Sequence, residues 1–104
     1  MGAQRFRKRP VVVEAIRWTG DNETEIQQWA GKAAGVDGQT LFRALDEEDR
    51  QQCADPSATA EVFDRIHSTW ILVSTGQWVV RGVESEHYVI DAGVLAKTYE
   101  EVTG

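Results

Sequence analysis

The chain has 104 residues, 41% of them hydrophobic and 27% charged, which fits one globular domain able to bury a core and leaves no room for two. No apolar run approaches the ~20 residues needed to cross a bilayer, and no apolar stretch of signal-peptide length precedes a small-residue cleavage site, so a cytoplasmic protein without membrane insertion is expected. Cys53 is the single cysteine, which excludes an intramolecular disulfide and a cysteine-rich zinc site.

The net charge of −6 is unevenly spread: Arg5, Arg7, Lys8 and Arg9 fall within the first nine residues, where there is no acid, leaving 7 basic against 17 acidic side chains, or −10, in the remainder. A basic arm over residues 1–9 on an acidic body can meet phosphate, fold back on the body or stay solvated. No nucleic-acid-binding module accompanies it, so nucleic acid is not the expected partner.

After Pro10, whose missing N–H suits the entry to an edge strand, residues 11–18 (Val-Val-Val-Glu-Ala-Ile-Arg-Trp) have strong strand propensity. Glu14 among these apolar neighbours is either a sheet-margin carboxylate paired with an arginine or a ligand-binding acid. Trp18 ends the strand beside Thr19-Gly20, where an exposed indole is expected to anchor a partner. Asn22 with Glu25 three residues on has capping-box spacing, and Ile26, Trp29, Ala30 and Ala33 form one apolar stripe of a helix that the glycines at 31, 35 and 38 end.

Residues 39–45 read as a second short strand, and the acidic and polar stretch 46–58 as an exposed loop. Its acids lack the alternation around a glycine that a calcium loop needs. Residues 60–67 carry Val62, Phe63 and Ile66 at helical spacing and predict a short middle helix capped by Ser57 or Thr59. Residues 69–73 form a strand that a turn at 74–76 joins to the most informative stretch, 77–92.

There two apolar runs flank Glu84-Ser85-Glu86, a hairpin signal. A three-residue loop places Gly82 opposite Tyr88 and Val80 opposite Ile90, with Trp78, Val80, Tyr88, Ile90 and Ala92 on the expected core face. Val79, Arg81, Val83, His87, Val89 and Asp91 fall on the other. Asp91 then caps a last helix bearing Leu95, Thr98, Tyr99 and Val102.

Motifs for nucleophilic, metal and phosphate chemistry are missing: neither histidine belongs to an elbow, and no zinc spacing or glycine-rich phosphate loop occurs. The remaining constellation is Arg81, His87 and Asp91 on the outer face, with Arg81 available to an anionic ligand and Arg17, Glu14 and Trp18 as further binding residues. No catalytic residue, metal or cofactor is assigned.

Residues 7–22, 60–70, 76–83 and 96–102 (Arg-Lys-Arg-Pro-Val-Val-Val-Glu-Ala-Ile-Arg-Trp-Thr-Gly-Asp-Asn, Ala-Glu-Val-Phe-Asp-Arg-Ile-His-Ser-Thr-Trp, Gly-Gln-Trp-Val-Val-Arg-Gly-Val and Ala-Lys-Thr-Tyr-Glu-Glu-Val) together resemble a widespread family of small bacteriophage and prophage proteins without an assigned activity. After Val83 the chain departs from that pattern, with Ser85 in place of the usual turn glycine. The resemblance implies a phage protein made in the host cytoplasm.

The expected fold is α+β, about five antiparallel or mixed strands with a C-terminal meander, packed against two or three helices. The expected function is non-enzymatic: an accessory protein that binds a host or phage protein and modulates a host process, with a homo-oligomer compatible. A binder that sequesters an anionic, nucleotide-like signal and a minor hydrolase using Glu14, His87 or Asp91 are the alternatives.

Overall fold

β-branched and aromatic runs separated by turn residues set the strands. A computed structural model describes residues 2–7, 9–31 and 40–102. In chain order the elements are β1 (Glu14–Arg17), α1 (Glu23–Ala30), β2 (Phe42–Ala44), α2 (Glu47–Gln51), β3 (Ala58–Asp64), β4 (Thr69–Ser74), β5 (Trp78–Arg81), β6 (His87–Ile90) and α3 (Ala92–Thr98). The fold is α+β as expected, with six strands in two antiparallel three-stranded sheets, β1-β5-β6 and β2-β3-β4.

The C-terminal meander is divided between these sheets, because the turn after β4 carries the chain away from β3 and onto the N-terminal strand. Trp18 N–H donates to Gln77 O (2.9 Å), Gly76 N–H donates to Trp18 O (2.7 Å), and Gly76 supplies the φ of +99° that the turn requires. β5 is thereby captured by β1.

α1 starts where Asn22 and Glu25 place it, although Asn22 does not cap through its side chain. Its amide instead donates to Arg17 O and Glu25 Oε1 (both 2.9 Å), while its Oδ1 accepts from Thr19 N–H (3.0 Å). Ile26 is fully buried, Trp29 and Ala30 partly so, and Gly31 ends the helix at φ +82°. Ala33, Gly35, Gly38 and Gln39 lie outside the described residues.

The expected middle helix over 60–67 is β3. Ala58, Ala60, Val62 and Asp64 point inward and Thr59, Glu61 and Phe63 outward, a period of two that pairing with both β2 and β4 reinforces. The expected 46–58 loop contains α2, a single turn and a half with no buried residue. Asp46 Oδ1 accepts from Asp49 N–H (2.7 Å) to hold its start, and three acids lie in its first turn.

The core lies between the sheets and α1 and comprises Trp18, Ile26, Phe42, Ala60, Val62, Val73 and Val79. Trp18, expected to be exposed, is 2% accessible: its indole meets Phe42 edge-on at 5.2 Å and its Nε1–H donates to Thr59 Oγ1 at 2.8 Å. A polar partner at the ring's one donor is what permits full burial, which contributes about 1.5–3 kcal/mol for a large apolar side chain.

The β5–β6 register pairs Val80 with Tyr88 and Trp78 with Ile90, a shift of two from the expected pairing. The shift is even, so the residues keep their expected faces. Their orientation is reversed: Ile16, Val79 and Val89 meet the core, while Trp78 and its neighbours on the other face lie towards α3. Both faces of this sheet are covered at the centre, Val79 and Val80 being fully buried on opposite sides.

Candidate functional site

The six residues singled out in the sequence fall into three places. Glu14, Arg81 and His87 occupy one rung across β1, β5 and β6 on the core-facing side. Arg81 Nη1 meets Glu14 Oε1 at 3.1 Å, its Nη2 donates to the Trp29 carbonyl, and its Cζ stands 4.5 Å from the Trp29 ring centroid. The arginine is therefore occupied by protein groups on three sides.

His87, expected on an exposed face, is 2% accessible and meets Trp29 edge-on at 5.6 Å. Neither ring nitrogen makes a well-formed hydrogen bond. The imidazole pKa lies below its ordinary value, chiefly because burial disfavours the cation, with Arg81 and then Arg65 adding repulsion; the Phe63 carbonyl and Asp64 offset part of this. The ring is enclosed, packed against Trp29 and beside Arg81.

Arg17 and Asp91 lie at the opposite end of the sheet. Arg17 Nε–H donates to Gly76 O (3.1 Å), and Asp91 Oδ1 accepts from the Gln77 amide (2.8 Å) in place of capping α3. The expected Arg81, His87 and Asp91 constellation is not assembled, because the strand pairing puts Arg81 beside His87 while Asp91 follows the end of β6. Trp18 is in the core.

One further polar pair closes the β3–β4 turn. Buried Asp64 accepts from His67 Nδ1 (2.6 Å) and from Ile66 N–H (3.0 Å), and its pKa is lowered, first by the His67 hydrogen bond. Among the described residues no group of three or more His, Cys, Asp or Glu is gathered to hold a metal ion, and no helix is long and apolar enough to cross a membrane.

The feature that sequence reasoning missed is an open groove of about 700 Å³ on the outer face of the first sheet. Its floor is Ala15, Arg17 and Trp78, one wall is Val11–Val13, and the other is Leu95 and Ala96 from α3 with Tyr99 just past its end, with Glu100 and Glu101 at its rim. Tyr99 is tied to the sheet through the Tyr88 hydroxyl (3.0 Å). Val12 is 75% exposed, and Val11 and Val102, which line the same groove, are exposed too. The sequence held a signal for this site: Val11, Val13 and Ala15 share one strand face, opposite the face of Ile16, and Leu95 and Tyr99 share one helix face. Comparison with known proteins finds no matching family model, curated protein or solved structure.

Proposed function

We propose that this protein works by docking a polypeptide segment of a host or phage protein, and that it is not an enzyme. The observation that supports this reading is the groove between Val11–Val13 and α3, lined in part by exposed Val11, Val12 and Val102. A contiguous apolar surface rimmed by charge is characteristic of protein interaction sites. The resemblance to small phage proteins is what suggests an accessory role in an infected cell. The anionic-ligand alternative needs a free guanidinium at Arg81, whereas Glu14 and Trp29 already engage it.

Affinity capture from infected host lysate tests the reading, using the wild-type chain and Leu95→Arg, which places a cation in the groove wall without touching the core. A protein retained by the first and lost by the second supports groove docking. Identical capture by both, or turnover of a metabolite by the purified protein, refutes it.

A further inference from the structure

We infer that the segment occupying the groove is the N-terminal arm of a second copy of this chain, exchanged reciprocally in a two-fold dimer. The inference rests on reading the groove as a polypeptide-docking site and names its occupant.

Three observations carry it. The first is the chemistry of the arm. Phe6 is 87% exposed, so the arm presents a large apolar ring that its own body leaves uncovered, flanked by Arg5, Arg7 and Arg9. The second is charge. The groove offers apolar Trp78, Leu95 and Tyr99 for such a ring, and its rim carries Glu100 and Glu101, with Arg17 on the floor and Glu14 already paired with Arg81. A cationic segment with an apolar anchor complements that surface, and opposite charges there set orientation as well as attraction.

The third is where the arm begins. Val11–Val13 form a wall of the groove itself, so the arm departs from the rim of the site it would fill in a partner. A two-fold axis beside these valines brings each arm to the other copy's groove, because an isologous interface repeats every contact. From Val11 back to Phe6 is five residues, about 17 Å when extended at roughly 3.3 Å per residue. That is enough to pass from one rim to the neighbouring floor.

Sedimentation velocity on the full chain tests this, with Phe6→Asp as the arm variant and Leu95→Arg as the groove variant. The wild type is expected to be a dimer that weakens when salt is raised from about 0.05 M to about 0.5 M, since screening removes the Arg–Glu attraction. Each variant is expected to weaken dimerisation by about ten-fold or more. Phe6 is so exposed in the chain that its replacement leaves folding intact, which circular dichroism verifies.

Mixing the two variants is the deciding arm. A Phe6→Asp chain retains a groove and a Leu95→Arg chain retains an arm, so an equimolar mixture regains one of the two contacts and forms heterodimers above the level of either alone. A wild-type monomer, or a dimer indifferent to Phe6→Asp, overturns the inference. Adding a fluorescent peptide of residues 2–13 to a monomeric wild type separates the two readings. Binding that Leu95→Arg abolishes leaves groove docking standing with a different partner or an intramolecular arm, and no binding removes support from both.

Discussion

The guanidinium of Arg81 stands over the indole of Trp29, its Cζ 4.5 Å from the ring centroid, and joins the end of α1 to the middle strand of the first sheet. Glu14 reaches the same guanidinium from β1 but is 65% exposed at its side chain, against 29% for Arg81. Water therefore screens the ion pair more than it screens the stacking contact. Arg81→Ala is expected to cost about 1–2 kcal/mol, through lost stacking and a Trp29 carbonyl left without its donor. Glu14→Gln is expected to cost less than about 1 kcal/mol. Urea denaturation of the two variants ranks them, and equal losses would show that the ion pair carries the contact.

His87 makes stability depend on acidity. Its folded-state pKa is depressed by burial and by Arg81 and Arg65, so the unfolded chain binds the proton more readily. The contribution is intact above the ordinary histidine pKa of about 6.5 and is lost as pH falls from there towards the lowered folded value. His87→Leu removes both the titration and two ring nitrogens that lack a well-formed hydrogen bond. It is expected to be at least as stable as wild type at neutral pH, with a gain of up to about 1–3 kcal/mol, and to lose less on acidification. Melting curves at several pH values check this; a wild type and variant that fall in parallel would place the acid sensitivity elsewhere.

Ser85 adopts φ +63° in the 82–86 loop, where its N–H donates to Gly82 O at 3.1 Å. This left-handed conformation penalises a side chain and suits glycine. Ser85→Gly is expected to stabilise the hairpin by up to about 1 kcal/mol, the relief of strain exceeding the entropy glycine adds to the unfolded chain. Equilibrium unfolding measures the gain, and a destabilised variant would contradict it.

Trp18 spans the two sheets through Thr59, whose hydroxyl also meets that of Thr75 at 2.8 Å. Trp18→Phe keeps most of the ring and deletes the donor, so a loss of about 1–2 kcal/mol is expected from the broken bond and the smaller ring. Thr59→Val should show much of the same loss. Thermal unfolding of the single and double variants supplies the coupling, and fully additive effects would mean that the bond contributes little.

How much of this was legible depended on whether a local pattern had one solution. Asn22, Glu25, Ile26 and Trp29 specify α1 without tertiary help, and the β5 and β6 runs sort correctly into two faces. Which face turned inward was not legible, because a small sheet covered by the core on one side and α3 on the other has apolar residues on both. Val62, Phe63 and Ile66 satisfied helical spacing, whereas the competing period of two ran through alanines and a buried Asp64 that give little hydrophobic signal. Nor does anything in the sequence mark His87 as enclosed, since a buried imidazole without a well-formed hydrogen bond violates the usual rule for buried polar groups.

The path of the chain through its sheets has a consequence for synthesis. β1 lies at the start and its partner β5 begins at Trp78, with the whole of the β2-β3-β4 sheet between them. On the ribosome the second sheet can close from neighbouring segments while the first strand waits, its Ile16 uncovered, for β5 to emerge. Such late, distant pairing slows folding and leaves the nascent chain exposed to aggregation, and a truncation that removes β5 and β6 takes with it the only sheet neighbour of β1 among the described residues.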